Sequence, residues 1–105
     1  MARFDVFANA GPLSRTIPFL LDVQSDLLDG LDTRVVVPLR KIEEFPQVKL
    51  PKQLTPVLSF HQQSFVMETP KMASVPQRIL KDPVTSLSAD QSTIVGALDF
   101  LFNGY

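Results

Sequence analysis

The chain has 105 residues, and ten Lys or Arg against eleven Asp or Glu leave a net charge of −1. That length suits one hydrophobic core, so a single domain over residues 1–105 is expected, and the near-neutral balance lacks the basic excess that phosphate-backbone binding draws on. The lack of cysteine excludes disulfides, thiolate metal sites and cysteine nucleophiles together.

Hydropathy adds expectations about location. No apolar run approaches the roughly 20 residues of a membrane span. Met1-Ala2-Arg3-Phe4-Asp5 carries charge, with no long apolar stretch behind it, so no signal peptide is expected. A cytoplasmic protein with protein partners, no direct nucleic acid and no membrane contact follows as the expectation.

Arg3 to Ala8 reads as a first strand, with Phe4 and Val6 on one side and Asp5 and Phe7 on the other. Asn9-Ala10-Gly11-Pro12 signals a turn, and the chain up to Pro18 reads as a loop. Phe19 to Val23 resumes as a strand. Gln24 to Asp32 holds too many turn formers for a stable helix, yet shows two adjacent leucines, Leu27 and Leu28. Thr33 to Val37 is the clearest strand, β-branched and closed by Pro38.

Leu39 to Pro56, with prolines at 46, 51 and 56, predicts a meandering surface connection. Val57–Phe60 and Ser64–Met67 predict a hairpin around His61-Gln62-Gln63. Met72–Pro76 and Val84–Leu87 add brief strands, with a short helical turn as an alternative within Ser74–Leu80. A final helix is predicted over Ser88–Phe102. Ser88 and Gln91 have the spacing of a capping box, and Ile94, Ala97, Leu98 and Leu101 form an apolar stripe. Gly104 suits a C-terminal cap. The expected fold is mainly β, with many short antiparallel strands and one C-terminal helix. Phe102 and Tyr105 place two aromatic rings at its end, and such rings must pack on their own core, on a second copy or on another protein.

Catalysis has little to hold in this sequence. His61 is the sole histidine, which excludes a histidine metal cluster, and four scattered glycines form no phosphate loop. Asp22, Asp26, Asp29 and Asp32 do not match a calcium loop and read better as an acidic turn that caps backbone N–H groups. Arg34, Arg40, Arg78, Asp22 and Glu68 contain the residue types of a metal-independent ribonuclease, although no spacing singles out one set. No catalytic residue, cofactor or metal is assigned, and the expectation is a binding protein rather than an enzyme.

Three blocks carry a family resemblance: Phe19-Leu20-Leu21-Asp22-Val23-Gln24-Ser25-Asp26-Leu27-Leu28-Asp29, Arg34-Val35-Val36-Val37-Pro38-Leu39, and Met72-Ala73-Ser74-Val75-Pro76. In this order, and over this length, the chain resembles the CcdB toxins of plasmid-type toxin–antitoxin pairs. The resemblance implies an SH3-like barrel of the kind shared by CcdB and MazF toxins, with one C-terminal helix in each half of a homodimer. It also implies poisoning of DNA gyrase through its breakage–reunion subunit, with neutralisation by a CcdA-like antitoxin. A MazF-like metal-independent endoribonuclease toxin is the alternative.

Carried over by position, the gyrase-binding residues would be Leu27, Leu28, Asp99, Phe102, Asn103, Gly104 and Tyr105, with acidic shoulders from Asp26 and Asp99. The family form has isoleucines at the two leucine positions, asparagine where Asp99 stands, tryptophan at Asn103 and isoleucine at Tyr105, so the C-terminal end is divergent. Gly96, Ala97 and Leu101 are candidates for the dimer contact. The Asn9–Pro18 loop and the Glu43–Pro51 region are candidate rims for the antitoxin.

Overall fold

The computed structural model describes residues 2–28, 30–46 and 50–104. Seven strands form one antiparallel sheet: β1 (Asp5–Ala8), β2 (Phe19–Asp22), β3 (Thr33–Lys41), β4 (Val57–Phe60), β5 (Gln63–Met67), β6 (Ala73–Pro76) and β7 (Thr85–Ser86). The strand order is β4-β5-β3-β2-β1-β7, with β6 also paired to β3. One helix, α1 (Gln91–Asn103), follows the last strand. The architecture is mainly β with one C-terminal helix, as the sequence predicts.

β3 runs to Lys41, through the proline expected to close it. The reason lies in its neighbours. On one side β3 pairs with β6 over Thr33–Val36 and then with β5 over Leu39–Lys41, so Val37 and Pro38 sit at the changeover. The Pro38 carbonyl accepts from the Glu68 N–H on that side. The N and C=O of one strand residue face the same way, so the N–H that proline lacks would have pointed into a gap in the ladder. Leu20 faces Pro38 from β2 without needing that donor.

The strands bury both faces. Val6, Leu21, Val37, Leu39, Leu58, Phe65 and Met67 form the main core, and Ile94 and Ala97 of α1 complete it. Phe7, Val36 and Leu80 form a smaller cluster of their own. Val6 and Phe7 are therefore both fully buried although adjacent, because each lies in a different cluster. Phe4 precedes β1 rather than belonging to it. Its φ of 75° turns the chain sharply, its N–H donates to the Asp22 carbonyl, and its own carbonyl accepts from Leu87.

The hairpin loop is one residue shorter than expected, with only His61 and Gln62 outside the strands. Both have positive φ, 51° and 64°, the pattern of a type I′ turn whose twist matches the flanking strands. Phe60 faces Gln63, and the Ser59 and Ser64 hydroxyls meet at 2.9 Å. Phe19, Phe60 and Phe65 cluster beside this hairpin, with centroids 4.7 to 5.3 Å apart.

The predicted capping box does not form. Ser88–Asp90 makes a 3-10 turn leading into α1, so the Gln91 N–H bonds the Ser88 carbonyl and no side chain caps the helix start. The other end behaves as expected. Gly104 adopts φ 80° and its N–H closes on the Phe100 carbonyl. No helix of the described residues is long and apolar enough to cross a membrane.

Candidate functional site

Two structural elements display the residues singled out in the sequence. The first is the connection between β2 and β3, which carries a 3-10 turn at Asp26–Leu28. Leu27 is 95% exposed, Leu28 49% and Leu31 50%. Leu31 joins the display although nothing in the sequence marks it, because a single leucine among turn formers carries no periodicity that tells an exposed from a buried position.

A polar network lies beneath the turn. Arg34 and Asp22 are fully buried and bonded in parallel, Nε to Oδ2 at 2.8 Å and Nη2 to Oδ1 at 2.9 Å. Charge-assisted pairs of this geometry are strong and directional. The Asp22 Oδ1 also accepts the Gln24 N–H, and Arg34 Nη2 donates to the Gln24 carbonyl. Asp26 is not a free acidic shoulder. Its Oδ1 accepts the Arg3 N–H at 2.8 Å and lies 3.8 Å from Arg34 Nη2, while the rest of the side chain reaches solvent.

The second element is the end of α1. Phe102 is 69% exposed, and Asp99, Asn103 and Gly104 are exposed with it. Ile94 and Ala97 bury one face of α1, and Phe102, about 80° and about 140° around the helix from them, lies on the flank of that face in the last turn, where it is exposed. Tyr105 lies outside the described residues. An open groove of about 880 Å³ runs along this side of the helix, from Ser92 past Gly96 and Asp99 to Gly104, with Lys52 and Pro56 on its far bank. A Cβ at Gly96 would meet nothing within 4 Å. Of the residues offered for a dimer contact, Ala97 is committed to the chain's own core, Gly96 faces outward and Leu101 is half-buried.

The backbone of α1 runs beside the 3-10 turns at Thr69–Lys71 and Ser88–Asp90, while its Ile94 and Ala97 side chains pack into the core of the sheet. The candidate site residues thus stand on two separate elements, the leucine turn and the helix end.

The charged residues of the nuclease alternative go elsewhere. Arg34 is paired with Asp22 in the interior, and Arg40 Nε bonds Glu68 Oε1 at 2.7 Å, with Lys71 3.6 Å from the same carboxylate. Of that set only Arg78 is exposed. His61 occupies the hairpin tip, its ring edge-on to Phe60 at 5.5 Å. Among the described residues no group of three or more His, Asp or Glu could hold a metal ion.

Comparison with known protein families gives one match that spans nearly the whole chain: the model of the CcdB protein family covers residues 3–104. The mainly β architecture with its C-terminal helix is consistent with the SH3-like fold of that family. This chain belongs to the CcdB family, and that membership supports a toxin-like role in the broad sense.

Proposed function

We propose that this protein is the toxin of a type II toxin–antitoxin pair, acting in the cytoplasm as a homodimer that binds the breakage–reunion subunit of DNA gyrase and traps the cleaved DNA complex. A CcdA-like antitoxin neutralises it. The observation that carries the reading is the outward Phe102 at a capped helix end, flanked by Asp99, Asn103 and Gly104. A ring presented from a hydrogen-bonded, capped helix turn carries less ordering cost into binding than one on a loose tail. A partner that covers the ring then gains about 1.5–3 kcal/mol from burial.

Symmetry joins the two displays. A twofold dimer presents each helix end and each leucine turn twice, which suits a target that is itself twofold symmetric. No bond is made or broken by the toxin in this mechanism. It binds the open, DNA-cleaved state of gyrase more tightly than the closed state, and that difference in affinity holds the enzyme open. Asn103 stands where the family form has tryptophan, so Phe102 and the leucines take a larger share of the apolar contact.

Purified protein incubated with gyrase, supercoiled DNA and ATP will accumulate double-strand breaks revealed on denaturing the enzyme, while an RNA substrate without added metal stays intact. Phe102→Ala will weaken binding to the breakage–reunion subunit by about 10- to 100-fold and leave unfolding unchanged. An unaltered dissociation constant would remove Phe102 from the site. Degraded RNA with normal gyrase turnover would favour the endoribonuclease alternative.

A further inference from the structure

We propose that Gln24 is a positioning residue: from beneath the leucine turn, its side-chain amide holds Leu27 and Leu28 in the geometry a partner binds. The identity of that partner rests on the gyrase reading above; the bracing of the turn does not.

Gln24 is only 8% exposed, yet its side chain reaches three backbone groups on both limbs of the β2–β3 connection. Nε2 donates to the Thr33 carbonyl at 3.2 Å and, more weakly, to the Leu28 carbonyl at 3.4 Å. Oε1 accepts the Val35 N–H at 3.0 Å. The amide therefore spans the opening of the loop, tying its apex to the strand that follows. Its own backbone is fixed too, by Asp22 on the N–H and Arg34 on the carbonyl.

The rest of the turn depends on this foundation. The Leu28 N–H donates to the Ser25 carbonyl, the Leu27 N–H to Ser25 Oγ, and the Leu31 N–H to the Leu28 carbonyl. None of these bonds crosses to β3. Gln24 supplies hydrogen bonds across to β3, beside the longer 3.8 Å ion contact between Asp26 and Arg34. The outcome is a loop whose interior is polar and bonded while its leucines face water. A loose connection would lose about 1–2 kcal/mol per residue ordered on binding, and a braced one has that order beforehand.

Gln24→Met keeps the length and bulk of the side chain and removes all three amide bonds. We expect the Leu28 and Leu31 amides to exchange at least about tenfold faster, while the Val37 and Leu39 amides in the core keep their protection. Affinity for the purified breakage–reunion subunit is expected to fall about tenfold. In a Leu27→Ala/Leu28→Ala background the same change should cost less than about twofold, because a positioning residue acts only through the side chains it positions. Gln24→Glu, which keeps the acceptor for Val35 and loses both donors, serves as the second variant if the first does not fold, with the same readouts.

Unchanged exchange in the turn overturns the brace. Equal affinity losses in both backgrounds assign Gln24 a general structural role and overturn the positioning. If the unaltered protein shows no binding to gyrase, the target reading fails, and the exchange measurement alone upholds or overturns the brace.

Discussion

Arg34→Met tests the electrostatic floor of the fold. The substitution keeps an unbranched side chain of similar reach and deletes the cation from a site where both partners are fully buried. Asp22 would lose two bonds of 2.8 and 2.9 Å and keep only the Gln24 N–H, leaving a carboxylate in the interior without its counter-charge. Breaking a buried pair in this way costs about 3–5 kcal/mol. The more distant Asp26, 3.8 Å away and largely solvated, adds little. A domain of this size has a total stability of about 5–15 kcal/mol, so the loss is a third or more of it unless the domain lies at the upper end. In urea the midpoint should fall by on the order of 2 M with an unaltered slope. Asp22→Asn in the Arg34→Met background removes the stranded charge while keeping an acceptor for Gln24, and should restore more than half of the loss. A single-variant loss below about 1 kcal/mol, or a double variant no better than the single, would show that the pair is not the buried counter-charge system described.

Two further substitutions probe backbone geometry. Gly104→Ala forces a side chain into the left-handed region at the helix end. It should loosen the last turn by about 1 kcal/mol, seen as faster amide exchange near Phe102; equal protection would show that the cap is not holding that turn. His61→Asn with Gln62→Gly gives the hairpin the residues a type I′ turn favours, and should raise the urea midpoint by the equivalent of about 1 kcal/mol, reduced by the lost His61–Phe60 ring contact. A lower midpoint would contradict the type I′ reading of this turn.

Periodicity exposed those parts of the fold that depend on nearest neighbours. Phe19–Val23 and Thr33–Val37 read as strands and fall on β2 and β3, and the stripe through Ile94 and Ala97 marks the helix and its buried face. Pro38 misled because its effect depends on which strand lies alongside, and a local rule cannot see that β6 gives way to β5 at that residue. Ser88 misled for a related reason: its spacing to Gln91 fits a cap, but a 3-10 turn occupies the same residues with backbone bonds instead. The outward leucines and Phe102 were readable from turn formers and helical spacing. The Arg34–Asp22–Gln24 network was not. Asp22 faces Val36 across the ladder, so Arg34 is its diagonal neighbour, and that relation exists only once register is known.

The pairing of β1 with β7 places Asp5 beside Ser86 and Val6 beside Thr85. A growing polypeptide therefore cannot close its sheet until the segment around residue 86 has cleared the ribosomal tunnel, and Ile94 and Ala97 must emerge later still to seal the core over Phe4 and Val6. Contacts this distant along the sequence form late and slowly. Synthesis itself thus imposes a delay: a nascent chain carries its leucine turn long before it owns the helix that completes its native shape.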